Sequence, residues 1–236
     1  MPDDAFGAMV RDYHRDVLAE QPVYRRDDGD VSEAHLEWYF TDPAEWPRGE
    51  DVLRRATGRV LDVGCGPGRT AVPLKRQGHD VFAVDVSPGA VAVAKARGVS
   101  DAAVMDLLRP AVAAGTVDTA LLLGGQLALG GSFDSLAANL DRFGRLVAPG
   151  GRLVADLHDP TRRDDHEDYL ADRWVEDGAA SRRFRVEYEG LVGQWISLLM
   201  LSPDRFRRVV EGTAWKIESV DTAPDGDGGY RVTLSR

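Results

Sequence analysis

Apolar positions along this chain follow two alternating rhythms. From Arg59 onward, short runs of β-branched and aliphatic residues give way to stretches where apolar residues recur every three or four positions. These are the periods of a buried strand and of one helix face. The runs at 59–63, 80–85, 102–105, 117–123 and 152–157 predict five strands. Between the last two, Phe133, Leu136, Leu140, Phe143 and Val147 lay down a single helical face. Ser87-Pro88 predicts the N-cap and first position of a helix running to Gly98. Gly78 stands where a terminating glycine belongs, after a helix with Pro73 in its first turn. Pro149-Gly150-Gly151 is a sharp stop before the fifth strand. Strands alternating with helices in this way mean right-handed crossovers and a mainly parallel sheet, an α/β class.

The flanks read differently. Phe6, Met9, Val10, Tyr13, Val17 and Leu18 predict an amphipathic helix over 5–20, ended by Pro22. Residues 23–30 form a polar strand-like piece with an Asp-Gly turn, and 35–40 gather Trp38, Tyr39 and Phe40 in charged surroundings. Asp42-Pro43 opens a helix to about Ala56, interrupted near Trp46-Pro47. Beyond the fifth strand, 160–181 are strongly charged, and 183–189 with 191–201 read as an antiparallel hairpin around Glu189-Gly190. Ser202-Pro203 opens a helix closed by Gly212, and 215–220 and 230–234 are the last strands. The expected organisation is a single domain over 1–236. Residues 1–57 form an N-terminal helical and aromatic lid and 58–157 a ligand-binding core; 158–201 are a charged loop and inserted hairpin, and 202–236 the end of the core.

Composition narrows the chemistry. A net charge of −10 argues against a protein devoted to holding nucleic acid, whose phosphates need clustered Lys and Arg. No apolar run reaches the roughly 20 residues of a membrane span, and Met1-Pro2-Asp3-Asp4 is acidic where a signal peptide is basic. The expectation is a cytoplasmic protein with no membrane partner, a homodimer being an allowed assembly. Cys65 is the sole cysteine, so no intrachain disulfide forms, and it reads as a small packed side chain. No metal site is expected.

The first strand ends on Asp62 and opens into Gly64-Cys65-Gly66-Pro67-Gly68. Glycine serves where φ is positive or where a ligand must approach closer than a Cβ allows. A turn of this kind between a strand and a helix N-terminus is the entry to a nucleotide-type pocket. Asp85, at the end of the second strand, stands about 20 residues on, where a carboxylate accepts from both hydroxyls of an unphosphorylated ribose. A dinucleotide fingerprint reads G-x-G-x-x-G; this one reads D-x-G-x-G-x-G.

That variant, with Asp85, Asp106 and Asp118 at matching positions, resembles the class I S-adenosylmethionine-dependent methyltransferases of bacterial and archaeal small-molecule type. The resemblance covers about 58–157 and, more loosely, 202–235. It implies a Rossmann-like fold with a seven-stranded, mainly parallel sheet and a last antiparallel strand. It implies S-adenosylmethionine as cofactor and S-adenosylhomocysteine as product. Gly64, Cys65, Gly66 and Gly68 would then hold the methionyl and ribose portion, with Asp62 orienting the loop or reaching the methionyl ammonium through water, Asp85 and Val86 the ribose side, and Asp106 with Leu107 the adenine. Leu123, Gly124 and Gly125 would lie beside the sulfonium.

Methyl transfer rests mainly on holding nucleophile and methyl at attack distance and excluding water. The loop after the fourth strand, Gly124-Gly125-Gln126-Leu127, lacks the proline-aromatic motif of amino-directed DNA methyltransferases. The expected acceptor is a small, partly apolar molecule with an O or N nucleophile, under a roof of Trp38, Tyr39 and Phe40 with His35. His158 and Asp159, at the carboxyl end of the fifth strand, and Gln126 are the candidate catalytic groups; His158 reads equally as a loop anchor. Two alternatives share these motifs: a non-catalytic S-adenosylmethionine-binding partner or sensor, and an RNA or protein methyltransferase, which would need a basic groove.

Overall fold

The computed structural model describes residues 3–45, 49–106, 111–162, 167–222 and 228–236. The chain divides into two compact units, Met1–Ala111 with Phe184–Trp195, and Val112–Arg183 with Ile196–Arg236. Among the described residues no helix is long and apolar enough to cross a membrane.

The first unit opens with α1 (Ala5–His14), β1 (Val23–Arg26), β2 (Val31–Glu33), α2 (Glu37–Phe40) and α3 (Gly49–Arg55). It continues through β3 (Arg59–Val63), α4 (Ala71–Arg76), β4 (Asp80–Asp85), α5 (Pro88–Ala96) and β5 (Ala102–Val104). Strands β3, β4 and β5 pair in parallel, with Val63 opposite Val84 and Asp85 opposite Val104. The register carries both aspartate-bearing strands to the same edge. Ser87 caps α5 as its sequence position predicts, its side chain accepting from the Ala90 amide.

Helix α1 is shorter than the periodicity predicts. Asp16 takes a left-handed φ of 57°, and the chain leaves the helix with Val17 exposed. The run from Asp42 is a 3₁₀ turn over Pro43–Glu45 followed by α3, and the expected interruption at Trp46-Pro47 lies outside the described residues. The larger difference concerns the flanks. The hairpin around Glu189-Gly190 forms, with Leu191 opposite Tyr188, but the N-terminal segment joins its sheet: β1 pairs antiparallel with β2 on one side, and on the other with residues 184–187 further along the chain.

The second unit holds β6 (Val117–Leu122), α6 (Phe133–Leu146), β7 (Val147–His158), α7 (Glu167–Leu170) and β8 (Trp174–Glu176). Next come β9 (Ala179–Tyr188), whose last residues lie in the first unit with β10 (Leu191–Val192), then β11 (Ile196–Leu201), α8 (Pro203–Val210), β12 (Lys216–Thr222) and β13 (Gly229–Ser235). Strand β7 begins at Val147, not after the Pro-Gly-Gly stop. The stop is absorbed as a register shift against β6, where Val117 faces Val147 and Thr119 faces Arg152. Leu136, Leu140 and Phe143 of α6 are wholly buried. Strand β13 runs antiparallel to β7 and β12, placing Arg231 opposite Asp156 in a 2.8 Å ion pair whose arginine is buried. Seven strands form one mixed sheet in the order β12-β13-β7-β6-β3-β4-β5, and a second sheet is antiparallel.

Candidate functional site

The glycine turn grows out of β3, whose inner residues are buried. Gly64, Gly66 and Gly68 have φ of 68°, 53° and 87°, values costly for any residue with a Cβ. They serve different ends. A Cβ on Gly68 would press Val72, Ala94 and Val99 at 3.2–3.4 Å, so this glycine lets α4 and α5 pack. A Cβ on Gly66 would meet only Phe6, at 3.7 Å. Gly66 therefore leaves its backbone open to a close ligand.

Two buried carboxylates surround the turn. Asp85 accepts from the Gly66 amide at 2.8 Å through Oδ2 and from the Ser87 amide at 2.9 Å through Oδ1. It bolts the glycine turn to the start of α5, and each oxygen keeps a lone pair for a ligand. Asp62 is buried, and its Oδ2 has no hydrogen-bond partner. Burial foremost, then the Asp85 charge, pushes its pKa to about 7 against a favourable Ala71 amide. A buried acceptor without a donor is costly in the isolated protein and suits a cation. The Cys65 thiol is buried, and burial followed by Asp62 and Asp85 drives its pKa far up, so it stays protonated and inert.

Beside Asp85, Val86 is 66% and Val104 is 54% exposed. Both flank the carboxyl ends of β4 and β5, which the Met105 amide ties to the Asp85 carbonyl at 2.9 Å. Two exposed valines there offer an apolar face to a flat ring, with Asp106 exposed at its rim. Leu107 lies outside the described residues. Val104 escaped the sequence reading; its only signal is its place as the last apolar residue of a short strand.

The N-terminal segment contributes aromatic side chains to this unit. Phe6 meets the Tyr39 ring edge-on, with centroids 5.2 Å apart, and the Tyr39 and Tyr24 hydroxyls hydrogen-bond. Burial raises the Tyr39 pKa, the Tyr24 hydroxyl opposes that rise, and the nearby Asp85 adds to it, so the phenol stays neutral. Trp38 lies under the Arg69 guanidinium at 4.0 Å and Phe40 under that of Arg97 at 4.9 Å. His35 is exposed.

The remaining sequence candidates belong to the second unit. Leu123 is half-buried, and Gly124 and Gly125 have φ of 67° and 85°, leading into a 3₁₀ turn at Gln126–Ala128. Buried Asn139 of α6 pins this loop by donating to the Leu127 and Leu129 carbonyls at 3.0 and 3.3 Å, and Arg142 steadies it at 2.6 Å. Sequence patterning missed Asn139, a polar residue on an apolar helix face. His158 is half-buried at the end of β7. Asp159 is buried, and its Oδ1 accepts from both the amide and the hydroxyl of Thr161, at 2.9 and 2.7 Å. Its geometry is that of a turn former.

Residues 60–151 match the family described as Methyltransferase domain. Magnesium-protoporphyrin O-methyltransferase of Rhodobacter capsulatus is 56% identical over 39 residues, 16% of this chain and 17% of that protein. Ubiquinone biosynthesis O-methyltransferase of Xylella fastidiosa is 35% identical over 107 residues, 40% of this chain and 39% of that protein. The matches thus span well under half the length of these curated relatives. The fold is shared more widely: an S-adenosylmethionine-dependent methyltransferase from Bacteroides fragilis, solved with S-adenosyl-L-homocysteine, superposes with a TM-score of 0.82 at 24% identity, covering 98% of this chain and 94% of that one. With its D-x-G-x-G-x-G turn inside the matched segment, residues 60–151 of the chain are similar to the methyltransferase domain family, and 98% of the chain shares the fold of that solved methyltransferase.

Proposed function

We propose that this protein transfers a methyl group from S-adenosylmethionine to an oxygen or nitrogen nucleophile of a small, partly apolar acceptor. Oxygen is the choice that its O-methyltransferase relatives favour. The observation that carries the donor assignment is the buried Asp62, with an unsatisfied oxygen, next to Asp85 at an open glycine turn. An ammonium suits the first carboxylate and a ribose diol the second, and the exposed Val86 and Val104 suit an adenine face. The cofactor, when bound, supplies an electrophilic methyl on a sulfonium. The chain's own part is to hold both reactants and keep water out, so that the displacement gains from proximity and a dry site.

In this reading Gly64 and Gly66 admit the cofactor backbone-close, and Asp106 borders the adenine. Leu123, Gly124 and Gly125 line the sulfonium side, and Tyr39 and its neighbours Trp38 and Phe40 cover the acceptor. His158 is the proton acceptor for a hydroxyl nucleophile and Gln126 an orienting group, while Asp159 shapes the loop that follows His158. The acidic charge and the lack of a proline-aromatic motif after β6 favour a small acceptor over nucleic acid. The test is transfer of labelled methyl from S-adenosylmethionine across fractionated small metabolites. The expected result is label in an organic-soluble, base-stable product. Label confined to RNA or protein, or none in any fraction while S-adenosylhomocysteine still binds, would overturn the acceptor class or the catalytic reading respectively.

A further inference from the structure

Outside the glycine turn, the first unit holds a cleft of about 270 Å³ between α2, the Pro43–Glu45 turn, α4 and the end of α5. Three arginines line it, Arg69, Arg76 and Arg97. Arg97 is fixed at two points: its Nη1 donates to the Pro67 carbonyl at 2.7 Å, and its plane lies 4.9 Å from the Phe40 ring. Arg69 is likewise stacked on Trp38 at 4.0 Å. Planar forks held in place before any ligand arrives lose little rotamer freedom on binding.

Two acids, Asp42 and Glu45, also border the cleft. Asp42 Oδ1 is engaged with the Ala44 amide at 2.9 Å. Arg97 is drawn below its ordinary pKa by burial and then by the Arg76 charge, with no carboxylate among the causes. Three arginines against two acids leave the cleft a surplus of one positive charge. Guanidinium groups match oxyanions in two-pronged geometry, and several around one small cavity suit a multiply charged, tetrahedral anion better than a single carboxylate.

We propose that this cleft binds a phosphate group, carried by a small metabolite or free in solution. The site is independent of the cofactor reading. Because Arg97 holds the Pro67 carbonyl within the glycine turn and Arg69 follows Gly68, occupancy there steadies the turn from behind.

The experiment is calorimetric titration of the full chain, saturated with S-adenosylhomocysteine, with inorganic phosphate, phenyl phosphate and acetate at matched ionic strength. Saturable 1:1 binding of inorganic or phenyl phosphate is expected, with at least a tenfold loss in Arg76→Gln. That residue is exposed, so its replacement leaves the core intact. Arg97→Gln should lose binding as well. Tighter phenyl phosphate assigns the source to a phosphomonoester, and tighter inorganic phosphate to the free ion. No saturable binding of either phosphate, acetate binding as tightly, undiminished binding in Arg76→Gln, or competition with S-adenosylhomocysteine would each overturn the proposal.

Discussion

Asp62 ties the stability of the turn to pH. Its pKa of about 7, against an ordinary 3.8, means the folded protein binds a proton that the unfolded chain releases. Stability therefore falls as pH rises from about 4 to about 7, and the cost is complete above that. Asp62→Asn should leave stability unchanged below pH 4 and raise it at pH 8 by at most roughly 4 kcal/mol, read as the denaturation midpoint. The same substitution should cost cofactor affinity, since an amide cannot balance an ammonium. In the wild type the affinity for S-adenosylhomocysteine, relative to 5′-methylthioadenosine, which lacks the amino-acid portion, should climb as Asp62 ionises through about pH 7. It should decline above about 8, where an α-amino group loses its proton. Equal pH profiles for the two ligands would remove Asp62 from ammonium binding. His158→Ala belongs to the same scale: turnover should fall at least tenfold with cofactor Kd unchanged, and unchanged turnover would exclude it from proton transfer.

At the scale of elements, the N-terminal segment meets the nucleotide fold where α1 crosses α5. Asp4 accepts from the Gly7 amide at 2.9 Å and from the Gly89 amide at 2.8 Å, one carboxylate capping both α1 and α5. The helices approach so closely that a Cβ on Gly89 would lie 2.6 Å from the Gly7 backbone. Met9, Ala90 and Val93 bury beside this contact, and Phe6, projecting from α1, reaches the glycine turn. Asp4→Ala should cost about 1–2 kcal/mol, since two caps are lost at once. Gly89→Ala should weaken S-adenosylhomocysteine binding as α1 is pushed off; a stable variant with normal affinity would show that α1 has no part in the site.

This crossing was invisible in the sequence because Gly7 and Gly89 lie far apart and neither breaks a local pattern. The same holds for β1, whose partner residues 184–187 come late in the chain, so the lid and hairpin looked separate. Trp38, Tyr39 and Phe40 stood out as aromatic, but nothing local tied them to Arg69, Tyr24 and Arg97. Strands, caps and the glycine turn were legible because each depends on a period of two, a period near four, or a positive φ, all local properties.

At the scale of the molecule, the glycine turn, Asp62, Asp85 and Asp106 belong to the first unit, while Leu123, Gly124, Gly125, Gln126, His158 and the loop pinned by Asn139 belong to the second. The matched methyltransferase segment, residues 60–151, runs from one unit into the other. It carries the donor motifs and stops short of His158 and of the flanks, where acceptor choice would be set. The measurement that bears most directly on the account is calorimetric titration of the full chain with S-adenosylhomocysteine and, separately, with NAD. The expected result is 1:1 binding of S-adenosylhomocysteine, lost in Asp85→Ala, with no heat from NAD. No binding of S-adenosylhomocysteine, or equal binding of NAD, would contradict it.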